Sequence, residues 1–243
     1  MPVYKLCLQM EELGASDLFF NTGHKPMMRQ SGNLLPIPDA KIFKEEEFYS
    51  FLANWLPAGT KERFEKEKSL DIGLTLEDSL RFRLSLAFQQ GLPDLIVRKV
   101  PSGNLHFEEL RIPLAVQNLA EKPRGLLLIA GTTGSGKSTT MATMVNHINE
   151  NLARHIITLE DPIEFLHKEK QSLISQREVG SDTKDFPTAL KHIVRQNPDV
   201  IIIGELRDSE TCASAVSAAL TGHLVIATLH AADAQQALER MLN

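Results

Sequence analysis

Gly131-Thr132-Thr133-Gly134-Ser135-Gly136-Lys137-Ser138 fits the phosphate-loop pattern G-x-x-x-x-G-K-S/T in full. Each residue type has a physical reason to be there. Gly131, Gly134 and Gly136 let the backbone turn so that its N–H groups converge on phosphate oxygens. The helix that follows offers its unpaired N-terminal donors and positive dipole end to the same anion. Lys137 supplies a point charge for β- and γ-phosphates, and the Ser138 hydroxyl can ligate Mg2+. With Thr139, the candidate nucleotide-binding set is Gly131, Thr132, Thr133, Gly134, Ser135, Gly136, Lys137, Ser138 and Thr139. The bland alternative is a glycine-rich strand–helix turn that binds nothing. A full match, between an apolar run at Leu126–Ala130 and an amphipathic pattern at Met141/Met144/Val145/Ile148, weighs against it.

Hydrolysis asks for more than a cradle. A Mg2+ shell and an attacking water need carboxylates, usually at the C-terminal ends of neighbouring strands. Glu160-Asp161-Pro162-Ile163-Glu164 follows the apolar run Ile156–Leu159 and packs three carboxylates into five residues. Pro162 makes that group project from a turn rather than extend the strand. Glu205 follows Val200–Ile203 and Gly204, where a Walker-B acid would sit, and Gly204 permits close backbone approach beside the nucleotide. Ser138, Glu160 and Glu205 are the candidate metal-side oxygens. Each acid also has an ordinary reading: a surface turn for the first group, a helix cap ahead of Asp208-Ser209 for Glu205. Both acids after apolar strands, downstream of a phosphate loop, make a joint signal.

His230 follows the last apolar run at the same sheet edge as Glu205. It is a candidate γ-phosphate sensor or, alternatively, a solvated strand-end histidine. His223 stands at the opposite end of that run, and the pair has no metal-site spacing. Arg81 and Arg83 lie on one face of an N-terminal strand, where two cations together need an anion or water. Solvent exposure answers that need; so does an arginine finger at a domain or subunit boundary.

The elements that must carry these side chains follow two grammars. In the first half, Leu70/Ile72/Leu74/Leu76 and Leu80/Phe82/Leu84/Leu86/Phe88 alternate at period 2, an antiparallel pair turning at Glu77-Asp78-Ser79. Phe48, Phe51, Leu52, Trp55 and Leu56 mark one face of a helix that Pro57 and Gly59 end. Lys61–Lys68 mixes both signs and reads as a solvated segment. Pro101-Ser102-Gly103-Asn104 is the candidate junction. In the second half, apolar runs of four or five residues alternate with helical patterns, the sign of a mostly parallel sheet covered on both faces. The expected division is residues 1–100 as a smaller α+β domain, 101–122 as linker and 123–243 as an α/β core.

Composition agrees with a soluble globular chain: 243 residues, 42% hydrophobic and 23% charged, which excludes disorder. The 14 glycines show no three-residue period, and no apolar stretch approaches a membrane span. The N-terminus has no signal-peptide pattern. Cys7 and Cys212 make neither a disulfide framework nor a four-cysteine zinc site, so a reducing, cytosolic setting is expected. A net charge of −5 with 6% aromatics gives no support to a basic, aromatic-lined channel, and nucleic acid is not an expected partner.

Gly131–Ser138, TLEDPIEF at Thr158–Phe165, VIIIGELRD at Val200–Asp208 and TGHLVIATLH at Thr221–His230 occur in the order and spacing of a known family. The chain resembles the secretion and pilus motor ATPases, most closely the PilT-like retraction ATPases of type IV pili. Ala15-Ser16-Asp17-Leu18, Arg81-Phe82-Arg83 and Val97-Arg98 are similar to that family's PAS-like N-terminal domain, and Gln176-Arg177-Glu178-Val179 to its segment after the acidic box. The resemblance implies a RecA-like P-loop core with a smaller α+β PAS-like domain. It also implies a homo-hexamer in the cytoplasm, docked on the inner-membrane pilus platform protein, that couples hydrolysis of ATP with Mg2+ to pilin extraction. By the same resemblance Glu164 is the general base, Glu205 the Walker-B acid, His230 the His-box residue, and Arg81, Arg83 and Arg98 reach the nucleotide phosphates.

Some residues depart from the pattern. Phe19 stands where the family has a histidine, Leu206 where it commonly has a methionine, and Ala227–Ala231 fits accessory PilU-like paralogues equally well. A retraction paralogue is accordingly a further candidate partner. The family continues through a helical C-terminal region, so the expectation is a nearly complete ATP site without the whole machine. Assembly and type II secretion ATPases usually carry a four-cysteine zinc module, which two thiols cannot form. A low-hydrolysis regulatory subunit is the remaining alternative.

Overall fold

The computed structural model describes residues 3–77, 80–100 and 105–242. The chain divides into two units, Met1–Pro101 and Ser102–Asn243, with separate cores. Asp78 and Ser79 of the expected turn, and the expected junction Pro101–Asn104, lie outside the described residues.

Unit one contains α1 (Val3–Leu8), β1 (Ala15–Asn21), β2 (Met27–Gln30), β3 (Asn33–Pro36), α2 (Glu45–Trp55), α3 (Thr60–Glu67), β4 (Ser69–Leu76), β5 (Leu80–Gln89) and β6 (Leu92–Lys99). Its strands form one antiparallel sheet in the order β3-β2-β1-β6-β5-β4. The two alternating runs are β4 and β5, with Leu74 opposite Phe82. Leu70, Leu74, Phe82 and Leu86 turn to a buried face that the helices cover through Leu6, Phe48, Phe51 and Phe64. One packed face and one open face is what a period of 2 encodes. Trp55 leaves the expected stripe of α2: it is exposed and stacks on Tyr4 with ring centroids 3.9 Å apart. Residues 61–67 are solvated in their charges but helical in conformation, and Lys68 ends the helix in the left-handed region. The pairs Lys61–Glu65 and Arg63–Glu67 span one turn of α3, and Phe64 is wholly buried against Phe88.

Unit two contains α4 (Leu114–Ala120), β7 (Gly125–Ala130), α5 (Lys137–Asn151), β8 (His155–Glu160), β9 (Leu173–Glu178), α6 (Phe186–Ile193), β10 (Val200–Ile203), α7 (Ser209–Leu220), β11 (Leu224–Leu229) and α8 (Ala234–Leu242). The sheet order is β7-β11-β10-β8-β9, and every pair is parallel. Strands β10 and β11 are buried at every position, which is why they read as unbroken apolar runs. Ile156, Val200, Ile202 and Ile226 pack with Met141, Met144 and Ile148 of α5. The alternate residues Ile157, Ile201, Ile203 and Val225 pack with Leu190 of α6 and Ala215 of α7. Among the described residues no helix is long and apolar enough to cross a membrane.

Two stretches add to the sequence reading. The described part of the supposed linker belongs to unit two: Phe107 and Ala120 are buried in the core beside α5, and Asn146 donates to the Leu105 carbonyl at 3.0 Å. Strand β9 is unannounced by its sequence, because LISQRE turns polar halfway and pairs on one side only, with β8.

Candidate functional site

Parallel strands send their C-terminal ends to a single sheet edge. Along that edge, in the order β7, β11, β10, β8, stand the phosphate loop, His230, Glu205 and Glu160. The fold thereby makes a row of residues that are far apart in sequence.

The loop is shaped by its glycines. Gly134 and Gly136 have φ of 77° and 92°, the left-handed region. A Cβ on Gly131 would meet Ser135 Oγ at 2.5 Å. Helix α5 begins at Lys137 with Gly136 as its N-cap, so its first N–H groups open onto the loop. The buried Lys137 ammonium donates to the Gly131 and Thr132 carbonyls at 3.0 and 2.9 Å, which fixes the cation over the loop. Thr132, Thr133, Gly134, Ser135 and Gly136 form an exposed rim, with Ser138 and Thr139 half-buried behind it. Converging backbone donors and a fixed cation suit a polyphosphate.

The acids divide into buried Glu160, partly exposed Glu205, and exposed Asp161 and Glu164. Glu160 accepts from the Thr158 hydroxyl at 2.7 Å, the Glu164 N–H at 3.2 Å and the Gln176 amide at 3.3 Å. Burial holds its carboxyl above the usual range, opposed by those donors. Its oxygens are thus engaged inside the protein, where Glu160 anchors the acidic turn through the Glu164 N–H. Asp161 and Glu164 are exposed, so the surface-turn reading holds for part of the box only. Gly204 does permit close approach, but to Glu160: a Cβ there would stand 3.2 Å from Glu160 Cα.

Glu205 is one-quarter exposed and engaged on both oxygens. Arg207 Nε donates to Oε2 at 2.9 Å, and His230 Nε2 lies 3.4 Å from Oε1. Arg207 also reaches Asp161 at 2.9 Å, bridging the ends of β8 and β10. Sequence reasoning missed Arg207, although its place two residues after a strand-end acid was a signal. The helix-cap alternative for Glu205 falls away, because Asp208 caps α7 by accepting from Thr211 N–H and Oγ1 at 2.8 and 2.7 Å. His223 stays at the far end, its Nδ1 2.9 Å from the Ala218 carbonyl. Ser138 and Glu205 are hard oxygen donors of the kind Mg2+ takes, alongside phosphates and water. Among the described residues no group of three or more His, Cys, Asp or Glu could hold a metal by itself.

The three arginines form a separate set on the open face of the unit-one sheet. Arg83 is opposite Arg98, Arg98 opposite Asp17, and Asp17 opposite Arg29. Arg98 Nε donates to Asp17 Oδ1 at 2.6 Å, and Arg29 Nε lies 3.9 Å from Oδ2. Asp17 is only 3% exposed. Arg83 sits 3.8 Å from Asp71, and Arg81 donates to Thr75 Oγ1 at 3.0 Å. Part of the anion these cations need is therefore internal.

The model for the family described as type II/IV secretion system protein matches residues 61–243. The chain belongs to that family. Within the type II/IV secretion family, it is 39% identical over 243 residues to the type IV pilus ATPase PilU of Pseudomonas aeruginosa, covering all of this chain and 63% of that protein. It is 42% identical over 219 residues to a twitching motility protein of Neisseria gonorrhoeae, covering 90% of this chain and 58% of that one. The chain thus spans less than two-thirds of the length of these two curated relatives. The crystal structure of the pilus retraction motor PilT with bound ADP matches it with a TM-score of 0.93 at 37% identity, over all of this chain and 71% of that one. The fold is accordingly a RecA-like P-loop ATPase core with a smaller α+β, PAS-like N-terminal domain.

Proposed function

We propose that this chain is the ATP-hydrolysing part of a motor subunit that powers retraction of a type IV pilus. The observation that carries the reading is the row of phosphate loop, His230, Glu205 and acidic turn along one sheet edge. ATP binds on Gly131–Thr139, with Lys137 against its β- and γ-phosphates. Ser138 and Glu205 would hold Mg2+ arriving with the nucleotide, which would supply positive charge beside the phosphates. Glu164 accepts the proton of the attacking water. His230, beside Glu205, contacts the γ-phosphate; a phosphate role for Arg81, Arg83 and Arg98 is what the family resemblance implies. Residues 1–100 serve as the PAS-like partner domain, 123–243 as the catalytic core, with 105–122 packed onto that core.

The wider setting we propose follows from the resemblance to pilus motor ATPases alone: a homo-hexamer, cytoplasmic and peripheral to the inner membrane, working on the pilus platform protein. The match to PilU along the whole chain favours a second reading, an accessory paralogue with little hydrolysis of its own. Assembly or secretion in place of retraction is the third.

Lys137→Ala is expected to weaken ATP binding at least about 100-fold, since it removes a charge-assisted contact. Glu164→Gln is expected to keep affinity and lower turnover by roughly 100-fold or more. Nucleotide titration and phosphate release on both variants check this, and normal hydrolysis by Glu164→Gln rejects the assigned base. Steady phosphate release by the unaltered chain argues against the accessory reading. Light scattering with and without nucleotide checks the hexamer. A deletion strain with surplus, immobile surface pili supports retraction; bald cells reject it.

A further inference from the structure

Strand β9 carries Gln176 and Glu178 two residues apart, hence on one side of the strand. Both engage the backbone of the acidic turn. Ile163 N–H donates to Glu178 Oε2 at 3.1 Å. His167 N–H donates to Gln176 Oε1 at 2.9 Å, and the Gln176 amide donates to the Phe165 carbonyl at 2.8 Å. Glu164 N–H, between them, ends on Glu160. Successive amides of the turn therefore end on two different buried carboxylates, Glu178 and Glu160.

This arrangement is costly as packing alone. Glu160 and Glu178 are direct partners in the β8–β9 register, both almost wholly buried. Two carboxyl groups buried side by side are costly to desolvate, and an apolar pair would fill the space at lower cost. What the acids supply is acceptors for N–H groups of a turn that lies outside every named helix and strand. Glu178 is itself braced, with Ser181 Oγ 3.4 Å from Oε1 and its own N–H donating to Asp182 at 2.8 Å. The chain buries two carboxyl groups to fix the backbone on either side of Glu164.

We infer that Glu178, with Gln176, is a positioning residue for proton transfer: the β9 pair locks the acidic turn so that Glu164 meets the attacking water. The inference rests on Glu164 as the base. A misplacement of about 1 Å at a reacting group can cost roughly 100-fold in rate. Glu178→Ala is therefore expected to lower kcat about 10- to 100-fold while ATP affinity stays within about twofold. Glu178→Gln keeps an acceptor for Ile163 N–H and is expected to restore the rate to within about threefold of the parent.

The deciding measurement is a double-substitution cycle in the full chain, reading phosphate release and nucleotide binding. If Glu178 acts through Glu164, Glu178→Ala adds no further loss in the Glu164→Gln background. Parent-like turnover by Glu178→Ala, an equal fall in Glu178→Gln, or a multiplicative loss in the double variant overturns the inference. Should Glu178→Ala fail to fold, as shown by lost nucleotide binding, Gln176→Ala takes its place in the cycle. Parent-like turnover by Gln176→Ala, or a multiplicative loss with Glu164→Gln, then overturns the inference in the same way. Failure of the base assignment is read separately, from Glu164→Gln alone.

Discussion

The two sheets place charge in opposite ways. Unit one covers a single face of an antiparallel sheet, so charged side chains stand mid-strand on the open face, and register sets Arg83, Arg98, Asp17 and Arg29 abreast. Unit two covers both faces of a parallel sheet, where a mid-strand charge would be entombed, so its polar chemistry is driven to the strand ends. The exception in each is instructive. Asp17 is a buried carboxylate held by exposed guanidinium groups, while the acidic turn of unit two is held through backbone amides. Charge pairing anchors the first arrangement and hydrogen bonding the second.

The strongest way to break this contrast is to remove the main partner of Asp17. Arg98→Ala leaves a carboxylate with 4% side-chain exposure and, as remaining neighbours, the Ser16 hydroxyl and a more distant Arg29. An expected loss of about 3 kcal/mol follows from stranding a buried charge. Adding Asp17→Asn should recover much of it, because the stranded charge is gone. Urea unfolding of the three proteins checks both points, and a neutral Arg98→Ala would mean that Asp17 does not depend on pairing.

In unit two the matching group is a half-buried base. Desolvation lowers the pKa of His167, in the segment gripped by Gln176, to about 4. The unfolded chain takes up a proton near the ordinary pKa of about 6.5, which the folded ring refuses until pH 4 is approached. The stability tied to the neutral ring is complete above that upper value and is lost as pH falls towards the lower one. The loss is on the order of 2–3 kcal/mol. His167→Gln should therefore gain on the parent as pH drops from about 7 to about 5 in paired urea melts. A difference independent of pH would place the ring in water.

How far these arrangements can be read from sequence follows from the same contrast. Strand-end chemistry is legible, because a residue such as Glu205 follows an apolar run one residue on and needs no knowledge of pairing. Gly131–Ser138 is legible for the same reason. Register-dependent chemistry is not: Arg98 and Asp17 are 81 residues apart and meet only because β1 and β6 pair. Strand β9 escapes because an edge strand with polar residues carries no clean period, and Gln176 and Glu178 go with it. Helix α3 escapes because a single apolar residue, Phe64, cannot display a period of 3.6. The 105–122 segment looks like punctuation until Phe107 and Ala120 find a core to fill.

The smallest expected effect sharpens the contrast most, because it varies burial alone. Asp71 and Arg83 stand on the same open face as Asp17 and Arg98, 3.8 Å apart, with side-chain exposures of 55% and 39%. A pair so wetted is worth less than about 0.5 kcal/mol and weakens as salt rises. Asp71→Asn should accordingly shift the unfolding free energy by less than that, and by less again at high ionic strength. Arg98→Ala should keep most of its cost under the same salt, since the charge it strands is shielded from ions. If Asp71→Asn instead cost as much as Arg98→Ala, burial would not be the variable, and the four-residue row would act as one network. The Asp71→Asn/Arg98→Ala pair decides between these, because independent contacts add to within about 0.5 kcal/mol and a network does not.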